Sequence, residues 1–356
     1  MDRRRFLFAT IPLAGLACRR GSDRTPLSAA DLPLEIDRLF ARRHEQRLFD
    51  GEALVAERGA VVYRGAFGLA DRDARQPYTT DTRSCLASLS KPITAVAVMM
   101  LAENGLLTFE SQLSQLLPGF SAATGAVTVR QLLTHTSGVP DYPDLGVDHP
   151  GVTNAEILAA LRRVQNPAFS PGLKYQYSNS GYVLLGSIIE GLTGRTLPQF
   201  LATRIFTPLG MSSTFVLTSP ADKTANVARG YDRNGGPNDF EGMETGDGGV
   251  YSTVSDLLLF DQALYSDTLV RQDTLSVAFR PAQVREGSTI YGFGWNIVKT
   301  PGGLSVWHQG NTAGFRAFME RRLSSRTTVI MLTNGGDTNR MAINEEIQQI
   351  LARPRV

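Results

Sequence analysis

Ser88-Leu89-Ser90-Lys91-Pro92-Ile93-Thr94-Ala95-Val96-Ala97-Val98-Met99-Met100 sets a hydroxyl and an amine one helical turn apart at the head of a long apolar run. The run ends at Asn104-Gly105, where a helix stops. Pro92 suits a first turn, where its missing N–H is not needed. Residues i and i+3 share a helix face with Cβ atoms roughly 5–6 Å apart, so Lys91 reaches the Ser88 hydroxyl. A helix apolar nearly all round is a buried one. Burial disfavours the ammonium, which lets Lys91 take a proton from Ser88. The positive end of the helix stands beside that hydroxyl, where an oxyanion would form. Alone, Ser-x-x-Lys is a short pattern that unrelated chains contain by chance. Only four of the 36 basic residues are lysines, however, and an arginine cannot deprotonate.

Outward from this run, Asp31 to Leu48 reads as an amphipathic helix, and Glu52–Glu57 and Ala60–Leu69 as a hairpin around Glu57-Arg58-Gly59. Helical patterns dominate from Ser88 to about Arg280, broken by Gly- and Pro-rich loops at 137–151, 166–172 and 230–249. The rhythm then changes. Tyr291–Val298, Leu304–His308, Phe315–Arg322 and Thr327–Thr333 read as strands, and Asn339–Ala352 as a closing helix. Strands at both ends with helices between them predict an α+β fold, with one antiparallel sheet built from both chain ends and an all-helical lobe. Its sheet parts fall at about 31–80 and 285–352 and its helical lobe at about 85–280, within a domain spanning 31–352. The cleft between lobe and sheet is the expected site.

The 356 residues carry a net charge of +2 with the basic groups scattered, which argues against nucleic acid as a partner. Residues 1–18 read as an export signal: Arg3-Arg4-Arg5 precedes an apolar stretch, Phe6 to Ala17, too short to span a bilayer. Arg3-Arg4-Arg5-Phe6-Leu7 is similar to a twin-arginine signal. Cys18 after Leu13-Ala14-Gly15-Leu16-Ala17 resembles a lipoprotein cleavage site, although Leu16 sits one place late. Residues 19–30 read as a polar tether. The expected location is therefore the periplasm or a lipid anchor at the cell envelope, with any membrane contact made through the N-terminus.

Tyr177-Ser178-Asn179 precedes the apolar helix Tyr182 to Leu192. Ser178, Asn179 or Ser180 would cap that helix well. Chemically, the Tyr177 phenol beside a lysine can serve as phenolate or proton relay, and the Asn179 amide can hold a substrate carbonyl and the Lys91 amine. His308-Gln309-Gly310 closes an expected strand, with Gly310 permitting close approach of a ligand to the backbone. Ser137 in Leu132-Leu133-Thr134-His135-Thr136-Ser137-Gly138 is a rival nucleophile near His135. It lacks a Gly-x-Ser-x-Gly elbow and reads as a structural loop. The patches Gly235-Gly236 and Gly246-Asp247-Gly248-Gly249 lack phosphate-loop context and read as turns. His44, His135, His149 and His308 show no metal-ligand spacing, so no metal is expected. Lys299-Thr300-Pro301-Gly302 mimics Lys-Thr-Gly but has proline where the glycine belongs.

Ser88-x-x-Lys91, Tyr177-x-Asn179 and His308-x-Gly310, in that order, resemble the serine β-lactamase and penicillin-binding superfamily, in its branch of class C β-lactamases, D-alanyl-D-alanine carboxypeptidases and related esterases. Leu132 to Asp141, Pro171 to Gly194, Gly248 to Phe260 and Tyr291-Gly292-Phe293-Gly294-Trp295 also look like that family's landmarks, so the likeness covers about residues 32–350. It implies a serine hydrolase without cofactor that acts on a small-molecule or peptide substrate, with cell-wall fragments among the candidates. By position Ser88 would be acylated, Lys91 and Tyr177 would share the proton transfers, and Asn179 with His308 and Gly310 would contact substrate. The Ser88 and Asn311 backbone N–H groups would form the oxyanion hole. One departure counts. Class C enzymes usually carry Lys-Thr-Gly at the third motif, where the lysine attracts a substrate carboxylate. The partly charged His308 expected here does so less well, which favours an esterase or D-amino-acid peptidase or carboxypeptidase over a β-lactamase. A non-catalytic receptor for penicillin or peptidoglycan fragments is the alternative of another class.

Overall fold

A computed structural model describes residues 26–224, 226–280, 290–335 and 338–356. The signal segment with Cys18 lies outside the described residues, as do residues 19–25 of the tether.

Seven antiparallel strands form the central sheet. β1 (Gly51–Glu57) and β2 (Ala60–Phe67) come from the N-terminal part, and β3 (Ile290–Tyr291), β4 (Asn296–Thr300), β5 (Gly303–Thr312), β6 (Phe315–Arg322) and β7 (Thr327–Thr333) from the C-terminal part. Their spatial order is β2-β1-β7-β6-β5-β4-β3. The last strand therefore pairs with the first, from Gly51 opposite Thr333 to Glu57 opposite Thr327. The β1–β2 turn places Arg58 and Gly59 at φ 52° and 80°, a left-handed pair whose twist suits a two-residue hairpin.

Period-two alternation sends adjacent side chains to opposite faces. Ala53, Val55, Phe318, Val329 and Met331 join Ile36 and Phe40 of α1 (Asp31–Glu45) and Ile343 and Ile347 of the C-terminal helix Arg340–Leu351 on one face. Leu54, Ala56, Ala317, Met319, Ile330 and Leu332 face the core shared with α2 (Lys91–Glu103) and α3 (Asn179–Thr193). β7 is buried along its whole length, as its Thr-Thr-Val-Ile-Met-Leu-Thr sequence requires of a strand covered on both faces.

Several elements depart from the sequence expectation. The first helix ends at Glu45, three residues early, because Arg47 turns to φ 59°. The strand expected over Tyr291–Val298 is broken at Gly292–Trp295, where Gly294 takes φ 80° against the backbone of Lys91 and Pro92. β5 runs through the His308-Gln309-Gly310 motif to Thr312, so His308 does not end a strand. The helical middle also carries Phe215–Val216 and Val250–Ser252; the latter pairs with Phe215–Val216 on one side and Ser84–Cys85 on the other in a small sheet of three strands. The tether is tied down from Leu27, which exchanges backbone hydrogen bonds with Pro354 and Val356 of the C-terminal tail.

Candidate active site

Ser88 lies not in α2 but in a 3-10 turn, Ala87–Ser90, that leads into it. Ala87 enters that turn at φ 47°, a left-handed conformation that costs an alanine about 1 kcal/mol or more. Propensity gives no warning of this, since alanine carries no left-handed signature. The turn packs on β5, and the contact explains Gly310: a Cβ there would meet the Leu86 carbonyl oxygen at 1.9 Å. What approaches the Gly310 backbone is the chain's own segment Leu86–Ala87, so the glycine lets β5 lie against the turn that carries Ser88.

Lys91 opens α2 fully buried, and its ammonium has three acceptors: Ser88 Oγ at 3.0 Å, Asn179 Oδ1 at 2.8 Å and the Asp247 carbonyl at 2.9 Å. All three are uncharged. Burial lowers its pKa to about 8, against the pull of the Asp247, Asp141 and Glu244 carboxyl groups. An amine at that value is neutral in part near physiological pH, and that fraction can accept the Ser88 proton.

The Tyr177 phenol is hydrogen-bonded to Ser88, and burial pushes its pKa well up. It stays a phenol. Burial thus disfavours the phenolate, one of the two roles open to it from sequence. Lys91 Nζ also stands 4.9 Å from the centre of the Tyr177 ring.

The helix bearing Asn179 is not capped by its own serines: Ser178 makes no side-chain cap. Asp141 does it from another loop, taking the Ser180 N–H on Oδ1 at 2.9 Å and the Asn179 amide on Oδ2 at 3.1 Å. His135 steadies the preceding segment. At φ 56°, it accepts the Ser178 N–H on Nδ1 and packs, tilted, against Tyr177 with ring centres 4.2 Å apart. Ser137 keeps to loop architecture, its buried hydroxyl accepting the Val139 N–H.

His308 corrects a sequence expectation. It is buried, with Nδ1 against the Gln309 carbonyl at 2.8 Å and Nε2 against the Tyr291 hydroxyl at 2.9 Å. A carbonyl only accepts, so Nδ1 carries the hydrogen and Nε2 receives one from Tyr291. Burial, reinforced by the nearby Lys91 charge, lowers the pKa of His308 to about 3. The ring is neutral throughout the physiological range, not partly charged. Behind β5, Arg340 donates to the Gly310 and Ala317 carbonyls and to Asn311 Oδ1 at 2.8 Å, holding that stretch from the side away from Ser88's turn.

Structure thus brings Ser88, Lys91, Tyr177 and Asn179 together and seats His308, Gly310 and Asn311 on the adjoining strand. Sequence reasoning gave no role to Asp141, Asp247, Tyr291 or Arg340, although Asp141 and Tyr291 stand in stretches that look like family landmarks. Asp247 lay in a patch read as a plain turn, yet it gives Lys91 both a main-chain carbonyl and a nearby carboxyl group. Among the described residues no group of His, Cys, Asp or Glu could hold a metal ion.

The beta-lactamase family profile matches residues 36–353. A penicillin-binding protein of Bacillus subtilis is 37% identical over 83% of this chain and 70% of its own length. Esterase EstB of Burkholderia gladioli is 30% identical over 86% of this chain and 92% of its own. A D-aminopeptidase of Cereibacter sphaeroides is 31% identical over 80% of this chain, which spans only 56% of that protein. The octameric penicillin-binding protein homologue of Pyrococcus abyssi superposes with a TM-score of 0.81 at 27% identity, over 90% of this chain and 77% of that one. A class C beta-lactamase shares the fold at a TM-score of 0.78 and 23% identity, over 91% of this chain and 96% of its own. The chain belongs to the beta-lactamase family of serine hydrolases.

Proposed function

We propose that this protein is an exported hydrolase that cleaves an ester or amide through an acyl-enzyme on Ser88. The carrying observation is the fully buried Lys91 amine, 3.0 Å from Ser88 Oγ and with its pKa lowered to about 8. Neutral Lys91 takes the Ser88 proton as the oxygen attacks the substrate carbonyl. The Tyr177 phenol, bonded to the same hydroxyl, passes a proton to the leaving group. Asn179 steadies Lys91. The backbone N–H groups of Ser88 and Asn311 receive the developing oxyanion. Water then attacks the ester on Ser88, and the same groups return the protons. Export rests on the Arg3-Arg4-Arg5 leader and apolar Phe6–Ala17, with Cys18 as the candidate lipidation site.

The neutral His308 bears on substrate choice. It stands at the third motif, where a lysine would attract a carboxylate, and it supplies no positive charge. That favours esters and amides without a free carboxylate next to the scissile bond, and places β-lactam hydrolysis second. The lowered pKa of Lys91 counts against a receptor without turnover, because mere binding needs no titratable amine. A fluorophosphonate probe should label the wild type and not Ser88→Ala; equal labelling of both would end the reading. Parallel assays with p-nitrophenyl acetate, D-alanyl peptide amides and nitrocefin should rank nitrocefin last. Nitrocefin turnover matching the ester would overturn the substrate preference and leave the acyl-enzyme intact.

A further inference from the structure

We propose that Asp141 is a positioning residue for this reaction, fixing the Asn179 amide so that its oxygen, and not its nitrogen, faces Lys91. The inference rests on the reading of Ser88 and Lys91 just given.

The geometry leaves one arrangement. An ionised carboxylate only accepts hydrogen bonds, so the Asn179 edge that meets Asp141 Oδ2 at 3.1 Å must be the NH2 group. The carbonyl end then points the other way, to Lys91 Nζ at 2.8 Å. With the amide reversed, an N–H would confront the ammonium and no acceptor would replace it. The other Asp141 oxygen takes the Ser180 N–H at 2.9 Å and lies 3.4 Å from the Ser178 hydroxyl, so one carboxylate fixes both the start of α3 and the amide standing on it. Asp141 itself stands in extended backbone at the entry to the 3-10 turn Tyr142–Leu145.

Asp141→Asn separates the two tasks. The substituted side chain has one oxygen and one NH2. With its oxygen kept on the Ser180 N–H, its NH2 faces that of Asn179, and the pair relaxes only by turning the Asn179 amide away from Lys91. With its oxygen given to Asn179, the helix start loses its acceptor.

The test is a double-mutant cycle read as the second-order rate of fluorophosphonate labelling, with Ser88→Ala as control and a thermal melt for each variant. Asp141→Asn should slow labelling by on the order of ten- to a hundredfold, the size of a hydrogen bond to a charged group. In the Asn179→Ala background the same change should cost less than about threefold, because the amide it orients is gone. The pH profile adds a second readout. Lys91 is faced by Ser88, Asn179 and the Asp247 carbonyl, by the Asp141, Asp247 and Glu244 carboxyl groups and by the Tyr177 and Tyr182 rings. Removing the Asp141 charge and turning an N–H toward the amine both disfavour the ammonium, so the acid limb of labelling should move to lower pH. Equal losses in the two backgrounds, no loss in the wild-type background, or an unmoved limb would each overturn the proposal. Labelling of Ser88→Ala at the wild-type rate would instead remove the reading on which it stands.

Discussion

Two buried cations in this molecule are held in opposite ways. Arg321, with no exposed side-chain surface, donates from Nε to Asp261 Oδ1 at 2.5 Å and from Nη2 to the Asp261 carbonyl at 3.2 Å. Thr328 and Gln262 donate to the other carboxylate oxygen, and the guanidinium lies 4.6 Å from the centre of the Tyr265 ring. Charge meets charge there. Lys91 is equally buried, yet every acceptor it touches is neutral, and the carboxyl groups around it act only across space. A direct ion pair joins β6 to the helix Val254–Ala263. Neutral acceptors satisfy the hydrogens of a lysine without fixing its proton, so the same depth of burial yields a structural clamp in one place and a titratable base in the other.

Replacing each cation gives the sharpest contrast. Lys91→Met should lower ester turnover and probe labelling by about 10³-fold or more, since it removes the base outright. Its melting temperature should fall less than that of Arg321→Met, because the loss of a desolvated charge offsets the loss of a donor to Asn179 Oδ1 and the Asp247 carbonyl. Arg321→Met should do the reverse. Asp261 left unpaired in the core costs about 3–5 kcal/mol, while the protein that still folds should keep wild-type kcat/KM. A Lys91→Met variant that melts as low as Arg321→Met would erase the distinction. Lys91→Arg sharpens it further: the charge persists and the activity should not, as a guanidinium cannot deprotonate.

The contrast also explains what could be read in advance. The sheet was legible because Phe315–Arg322 and Thr327–Thr333 alternate or run apolar over whole strands, and both bounds agree with the structure. Ser88 and Lys91 were legible because their spacing is local and their order with Tyr177, Asn179 and His308 resembles a known family. The surroundings of Lys91 were not. Asp141 lies 38 positions from Asn179, and Asp247 lies 156 from Lys91. No periodicity links such partners; only the fold brings them together. The charge of His308 was misjudged for the same reason, since a free imidazole titrates near pH 6.5 and only its buried partners show that this one does not.

Asp247 tunes the lysine side of the comparison. Its carboxyl group is the foremost of the three that favour the Lys91 ammonium, and burial raises its own pKa to about 6. The base works deprotonated, so kcat/KM should climb as pH rises through about 8. Asp247→Asn keeps the main-chain carbonyl that holds Lys91 and removes the charge that favours its protonation. The climb should then begin at lower pH, with the plateau within about threefold of wild type. A climb displaced to higher pH would mean that Asp247 does not act on Lys91 through its charge.

His308 supplies a third buried basic group, already settled in its neutral form, and the effect expected of it is the smallest. Tyr291→Phe deletes the hydroxyl that donates to Nε2 and leaves a buried acceptor without a partner, at a cost of about 1–3 kcal/mol in stability. Turnover should change by less than about tenfold, because a neutral ring needs no proton from Tyr291 to stay neutral. Nitrogen NMR of the wild type should show Nδ1 protonated and Nε2 bare from pH 5 to 8, with no titration. Burial and the Lys91 charge both oppose a second proton, so the imidazolium should appear only as pH falls toward about 3. A ring that titrates near pH 6.5 would give His308 the positive charge that the neutral-substrate preference denies it, and would move anionic substrates back to first place.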